Sequence, residues 1–72
     1  MISVTFTRDN SQFFFSETAS TKDVWEYLQD ACSEYLPHRY FWKDEVFNED
    51  AILLFTDDEL FIFEIKKVTP IF

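Results

Sequence analysis

Ala51-Ile52-Leu53-Leu54-Phe55, then Thr56-Asp57-Asp58-Glu59, then Leu60-Phe61-Ile62-Phe63-Glu64-Ile65-Lys66-Lys67-Val68 is the stretch that decides the fold class. Two β-favouring apolar runs flank a short polar break, which reads as an antiparallel hairpin. Because side chains alternate along a strand, Phe61, Phe63 and Ile65 point one way while Leu60 and Ile62 point the other. The sheet is therefore apolar on part of both faces, and one helix covers only one of them. The other face needs cover from residues 37–50, from Pro70-Ile71-Phe72 or from another chain, since large apolar patches are uncommon on soluble monomers.

Toward the N-terminus, Ile2, Val4 and Phe6 alternate with Ser3, Thr5 and Thr7, the pattern of a half-buried strand. Arg8-Asp9-Asn10-Ser11 reads as a turn, and Gln12 to Ser16, centred on Phe13-Phe14-Phe15, completes a second hairpin. From Ser20 the period changes. Ser20 and Asp23 have the spacing of a capping box, and Val24, Tyr27, Leu28, Ala31 and Tyr35 recur at helical intervals, predicting an amphipathic helix of about four turns. Pro37 stands where that helix should end. Between Pro37 and Asp50 the pattern weakens: residues 38–43 read as a short strand and 44–50 as loop or one helical turn. The expected architecture is a single α+β domain over 1–72, an antiparallel sheet of about four strands in ββαββ order with the helix packed on one face.

Composition narrows the function. Glycine is absent, so turns must be built from Asn, Asp, Ser and Pro, and no glycine-rich phosphate loop can form. One Cys (Cys32) permits no internal disulfide, and one Cys with one His (His38) cannot make a zinc site of the usual kind. Cys32 borders the apolar side of the helix and is expected to be a buried structural thiol; His38 is expected to be an incidental loop residue. No cofactor is expected. The first residues lack the basic start and apolar run of a signal peptide, and no apolar run approaches a membrane span, so a cytoplasmic protein without membrane contact is expected.

Charge says more. Fourteen Asp and Glu against six Lys and Arg give a net charge of -8, beside 47% hydrophobic residues that can build a core. Such a molecule repels nucleic acid and anionic lipid and attracts basic protein surfaces. Asp23, Glu26, Asp30 and Glu34 fall on one side of the predicted helix, away from the apolar stripe. Over roughly 16 Å of axis these four acids compare with about five phosphates of one DNA strand. Lys22 is the only basic residue between Asp9 and Glu34, so these acids repel one another. Asp44, Glu45, Glu49, Asp50, Asp57, Asp58 and Glu59 extend the acidic surface. Among the aromatic residues, Trp25, Tyr40, Phe41 and Trp42 are candidates for partner anchors, with Trp25 expected to be the better exposed and Trp42 equally suited to the core.

Asp50 at the head of Ala51–Phe55, with Glu64-Ile65-Lys66 on the next strand, looks like the metal-binding core of PD-(D/E)xK nucleases. That resemblance implies a metal held by the two acids and a water oriented by Lys66. The family pattern departs at Asn48-Glu49, where Pro is frequent, and in the lack of a helix and strand after Lys66. In size, acidity and want of catalytic groups the chain also resembles small phage-encoded counter-defence proteins, the anti-CRISPR and DNA-mimic types, in general character and without a shared motif. That likeness implies a non-enzymatic inhibitor seated on a basic nucleic-acid-binding protein. A self-associating module, such as a homodimer, is the remaining expectation.

Overall fold

The computed structural model describes residues 1–67 and forms a five-stranded antiparallel sheet with one helix on one face. The strands are β1 (Ile2–Phe6), β2 (Ser11–Phe15), β3 (Trp42–Phe47), β4 (Ala51–Thr56) and β5 (Leu60–Lys67). The helix is α1 (Thr21–Ala31), and a single 3₁₀ turn, Arg39–Phe41, leads into β3. The sheet order is β2-β1-β5-β4-β3, so the element order is ββαβββ, one strand more than the sequence pattern suggested.

The connectivity explains how one helix suffices. α1 joins one edge strand, β2, to the other, β3, and must cross the sheet to do so. α1 starts beside the Glu49–Asp50 end of the sheet and ends toward the Thr56–Glu59 turn, and it reaches both flanks of one face through side chains that leave it on opposite sides. Tyr27 lays its ring against Phe13 and Phe15 on the β2 side, while Trp25 packs against Trp42 and Phe47 on the β3 side. Beneath them lie Val4, Phe6, Ile52, Leu54, Phe61 and Phe63, all fully or nearly fully buried. Phe6 and Phe63 are cross-strand partners and stack at 4.6 Å.

Local chemistry sets the ends of the elements. Ser20 caps α1, its Oγ accepting the Asp23 N–H at 3.1 Å. α1 closes after about three turns at Cys32, not at Pro37 as the spacing implied. Without glycine there is no left-handed cap, and the chain tightens instead: Ser33 N–H donates to Asp30 O, and the Tyr35 and Leu36 N–H groups to Cys32 O. This turn keeps Cys32 in the core and sets Tyr35 edge-on to Phe6. The buried stripe is consequently Val24, Trp25, Leu28 and Cys32; Ala31 is exposed.

The other turns use Asn and Asp in place of glycine. Asn10 adopts φ 62° at the β1–β2 turn, and Asp9 Oδ1 accepts the Ser11 N–H. Asn48 Oδ1 accepts the N–H groups of Asp50 and Ala51 at the β3–β4 turn. Asn tolerates the left-handed region because its short polar side chain bonds locally, whereas Cβ sterics cost other residues about 1–2 kcal/mol there. Asn10→Ala is thus expected to lower stability by about 1 kcal/mol, and Asn10→Gly to be nearly neutral. Thermal unfolding of the two variants checks the difference.

Residues 37–50 do not cover the second face of the sheet, because β3 joins its edge instead. On that face Leu53, Phe55 and Ile62 remain half-buried, and Val46 and Leu60 are exposed. Among the described residues no helix or strand lies over it. Pro70-Ile71-Phe72, the other segment of the chain that could cover it, falls outside the described residues.

Candidate protein-binding surface

The helix presents Asp23, Glu26 and Asp30 opposite its buried stripe, all exposed. Glu34, expected on the same face, lies beyond the helix in the turn that follows it. Three of the four ridge acids therefore share one helical face, and the fourth is exposed in the turn beyond it. Among the described residues the ion pairs are Arg8–Glu59 at 2.8 Å, Lys43–Asp57 at 3.6 Å and the N-terminal amine of Met1 with Glu17 at 2.9 Å. None involves a ridge acid. Asp30 also stands in the last turn of α1, where the helix dipole disfavours an anion and no basic residue offsets it.

The remaining acids separate by strand geometry. Asp44 pairs with Phe55 and so shares the uncovered face, while Glu45 pairs with Leu54 and is half-buried on the helix side. Asp57, Asp58 and Glu59 form the β4–β5 turn, closed by Thr56, whose N–H donates to Glu59 O and whose Oγ1 accepts the Glu59 N–H. This turn and the C-terminal end of α1 lie at the same end of the molecule, since Tyr35 packs on Phe6 while Arg8, just past β1, reaches Glu59. Asp30, Glu34, Asp57, Asp58 and Glu59 thus concentrate there. Glu49 and Asp50 stand at the opposite end, beside Thr21 and near Lys66 and Lys67.

The anchor residues divide differently from the sequence expectation. Trp25, expected to be the better exposed, is only 5% exposed and belongs to the core. Because the apolar residues of α1 spread over a wide arc, the sheet had to decide which of them turned inward. Trp25 Nε1 finds no hydrogen-bond acceptor among the described residues, a burial that costs about 1–3 kcal/mol. Trp42 is half-buried, its Nε1 donating to Pro37 O at 2.9 Å with Arg39 over its ring. Tyr40 and Phe41, by contrast, are 82% and 58% exposed on the 3₁₀ turn. Phe41 and Pro37 share a shallow cleft of about 490 Å³ with Asp57, Asp58 and Glu59, which sets an apolar wall directly against carboxylates. His38 is a local cap, its Nδ1 accepting the Tyr40 N–H at the start of that turn.

Sequence reasoning missed a groove of about 680 Å³ between the start of α1 and the end of β5. Its apolar wall includes Ile2, Val4, Val24, Ile52 and Ile65. These residues look like ordinary core positions in the sequence, which carries no signal for a gap among them.

The pairing register bears on the nuclease-like motif. Ala51 pairs with Glu64, and the Ile65 N–H donates to Asp50 O at 2.7 Å, so Asp50 stands across from Ile65. Ile65 faces the helix side, whereas Glu64 and Lys66 alternate onto the other face. Asp50 and Lys66 line the groove at the start of α1, and Glu64 is not among its lining residues. Among the described residues no three of His, Cys, Asp and Glu gather as metal ligands would, and no helix is long and apolar enough to cross a membrane.

Cys32 is buried in the core cluster, and burial followed by the field of Asp9 pushes its thiol up to about 11. The folded state holds this proton more tightly than the unfolded chain, whose ordinary value is 9.0. This contribution to stability is therefore intact below the unfolded value and is lost as pH rises through it toward the folded one. Native protein at neutral pH is expected to resist thiol reagents and to react fully in denaturant, which a timed titration of the free thiol reads directly.

Compared with protein-family models, curated proteins and solved structures, the chain matches none of them.

Proposed function

We propose that this protein is a non-enzymatic inhibitor whose acidic surface occupies a basic, nucleic-acid-binding site on a target protein. It would act in the manner of phage counter-defence factors directed against CRISPR or restriction systems, in the cytoplasm of a bacterial host. The observation that carries the reading is the ridge of Asp23, Glu26 and Asp30, exposed on one helical face and without an ion pair among the described residues. A helix selected for stability alone would place a cation in its last turn, and this one places Asp30 there.

The mechanism has two parts. The ridge, with Glu34 and the Asp57-Asp58-Glu59 turn at the same end, steers a basic surface toward the molecule. Phe41, beside those carboxylates, and Tyr40, packed edge-on to Phe41, then supply exposed, entropically inexpensive aromatic area. They take the anchoring role in place of Trp25 and Trp42. Asp44 and Glu45, on opposite faces of β3, would contribute to the general field and not to one common contact.

The test is competitive. Immobilised protein is used to capture clients from bacterial lysate, and each client is assayed for duplex DNA or RNA binding with and without the free protein. The expected outcome is a basic client whose nucleic-acid complex is displaced and whose capture weakens steeply as salt rises. Clients that bind nucleic acid equally well in its presence overturn the reading.

A further inference from the structure

The two edges of the sheet are built differently. β3 carries Lys43, Asp44 and Glu45, and its register slips between Trp42 and Asp44, the charged, bulged edge by which strands avoid pairing with other chains. β2 has none of this. Ser11-Gln12-Phe13-Phe14-Phe15 holds no charge, no proline and no bulge, and all five residues pair in unbroken register with β1. β1 satisfies one side of the β2 backbone; the other side forms the sheet edge. Phe14 is 58% exposed beside that edge, on the face opposite the helix.

We infer that β2 is a self-association edge, on which a second copy of this chain adds its own β2 antiparallel to make a ten-stranded sheet. The occupant follows from charge and register. A molecule of net charge -8 repels its own copies everywhere its carboxylates are displayed, and Ser11–Phe15 is a strand without any. Full overlap of this five-residue strand on itself centres the two-fold axis on Phe13. Phe13 then faces its own copy, while Gln12 faces Phe14 and Ser11 faces Phe15 across the axis. Opposite residues share a face, so both helices lie on the same side of the joined sheet. Phe13 and Phe15, each edge-on to Tyr27, bring their aromatic contacts to the junction. At the ends of the overlap Asp9 meets Glu17, and the N-terminal amine of Met1, 2.9 Å from Glu17, offsets that repulsion. This surface is separate from the acidic one, so either can fail without the other.

Sedimentation velocity over a concentration series tests it. The expected result is a monomer–dimer equilibrium that tightens as salt rises, because screening relieves like-charge repulsion, opposite to the behaviour of an acidic ridge with a basic client. Two double variants read the register. Q12K/F14K sets introduced lysines against each other twice and should yield monomer at every concentration. Q12K/F14E sets opposite charges together twice and should restore the dimer at least tenfold relative to Q12K/F14K. The substituted positions are exposed, and circular dichroism of the monomers confirms that the fold is kept. A wild-type monomer at all concentrations and salts, a dimer indifferent to Q12K/F14K, or a Q12K/F14E variant as monomeric as Q12K/F14K would each overturn the proposal.

Discussion

Phe63→Ala is expected to leave most of the protein unfolded at physiological temperature. Phe63 is fully buried on β5, between β1 and β4, with Phe6 stacked on one side at 4.6 Å and Trp25 edge-on at 5.5 Å. Truncating a buried Phe costs about 3–5 kcal/mol in lost transfer energy and residual cavity. A chain of 72 residues has a total stability of roughly 4–11 kcal/mol, with the lower end expected for so small a core. The loss is therefore comparable to everything that holds the fold together. Phe14→Ala is the control, since Phe14 is largely exposed, and its cost should stay below about 1 kcal/mol. Urea unfolding followed by circular dichroism separates the two, and near-equal midpoints would refute the core described above.

The second large effect has two signs at once. Replacing Glu26 with Gln and Asp30 with Asn should stabilise the fold while weakening association with a basic client. The two acids are a like-charge pair at i,i+4, worth about 0.2–0.5 kcal/mol, and Asp30 opposes the helix dipole by about 0.3–1 kcal/mol at low salt. At about 4–8 °C of melting temperature per kcal/mol, the double variant should melt several degrees higher. Adding Asp23→Asn should give part of this back, because Asp23 sits favourably in the first turn. Association should move the other way, with the on-rate at low salt falling about tenfold or more as steering is lost. Stopped-flow binding beside thermal melts reads both signs in one preparation. Higher stability with unchanged binding would show the ridge to be a solvated face and nothing more.

What the sequence disclosed was whatever local chemistry governs. The Ser20 cap, the Asn and Asp turns, the two hairpins and the inward side of β5 follow from side-chain bonding and period-two alternation, and all are present. β3 was hidden because its bulge at Lys43 breaks that alternation: Trp42, Glu45 and Phe47 share a face at spacings of three and two. Its acids also make it resemble a loop. The end of α1 was misplaced for want of glycine, which left Pro37 as the nearest visible stop. Trp25 and Tyr27 could not be told apart on a helix apolar over so wide an arc, and only the position of the sheet assigns Trp25 to the core. As for the site, the outward turn of Asp23, Glu26 and Asp30 was legible from helical spacing. The meeting of Phe41 with Asp57 and Asp58 was not, since it depends on how a 3₁₀ turn and a distant hairpin are brought to one end of the molecule.

The position of β5 has a temporal consequence. This strand lies at the centre of the sheet, yet it pairs with the very first one, Ile2 opposite Lys67 across 65 residues of chain. On the ribosome, β1, β2 and the helix emerge long before the strand that must sit beside them, and closing so long a loop is an entropic toll levied ahead of most native contacts. Folding should therefore be slow, on the millisecond-to-second scale, and the nascent chain should hold its phenylalanines unsheltered until the β4–β5 hairpin has emerged.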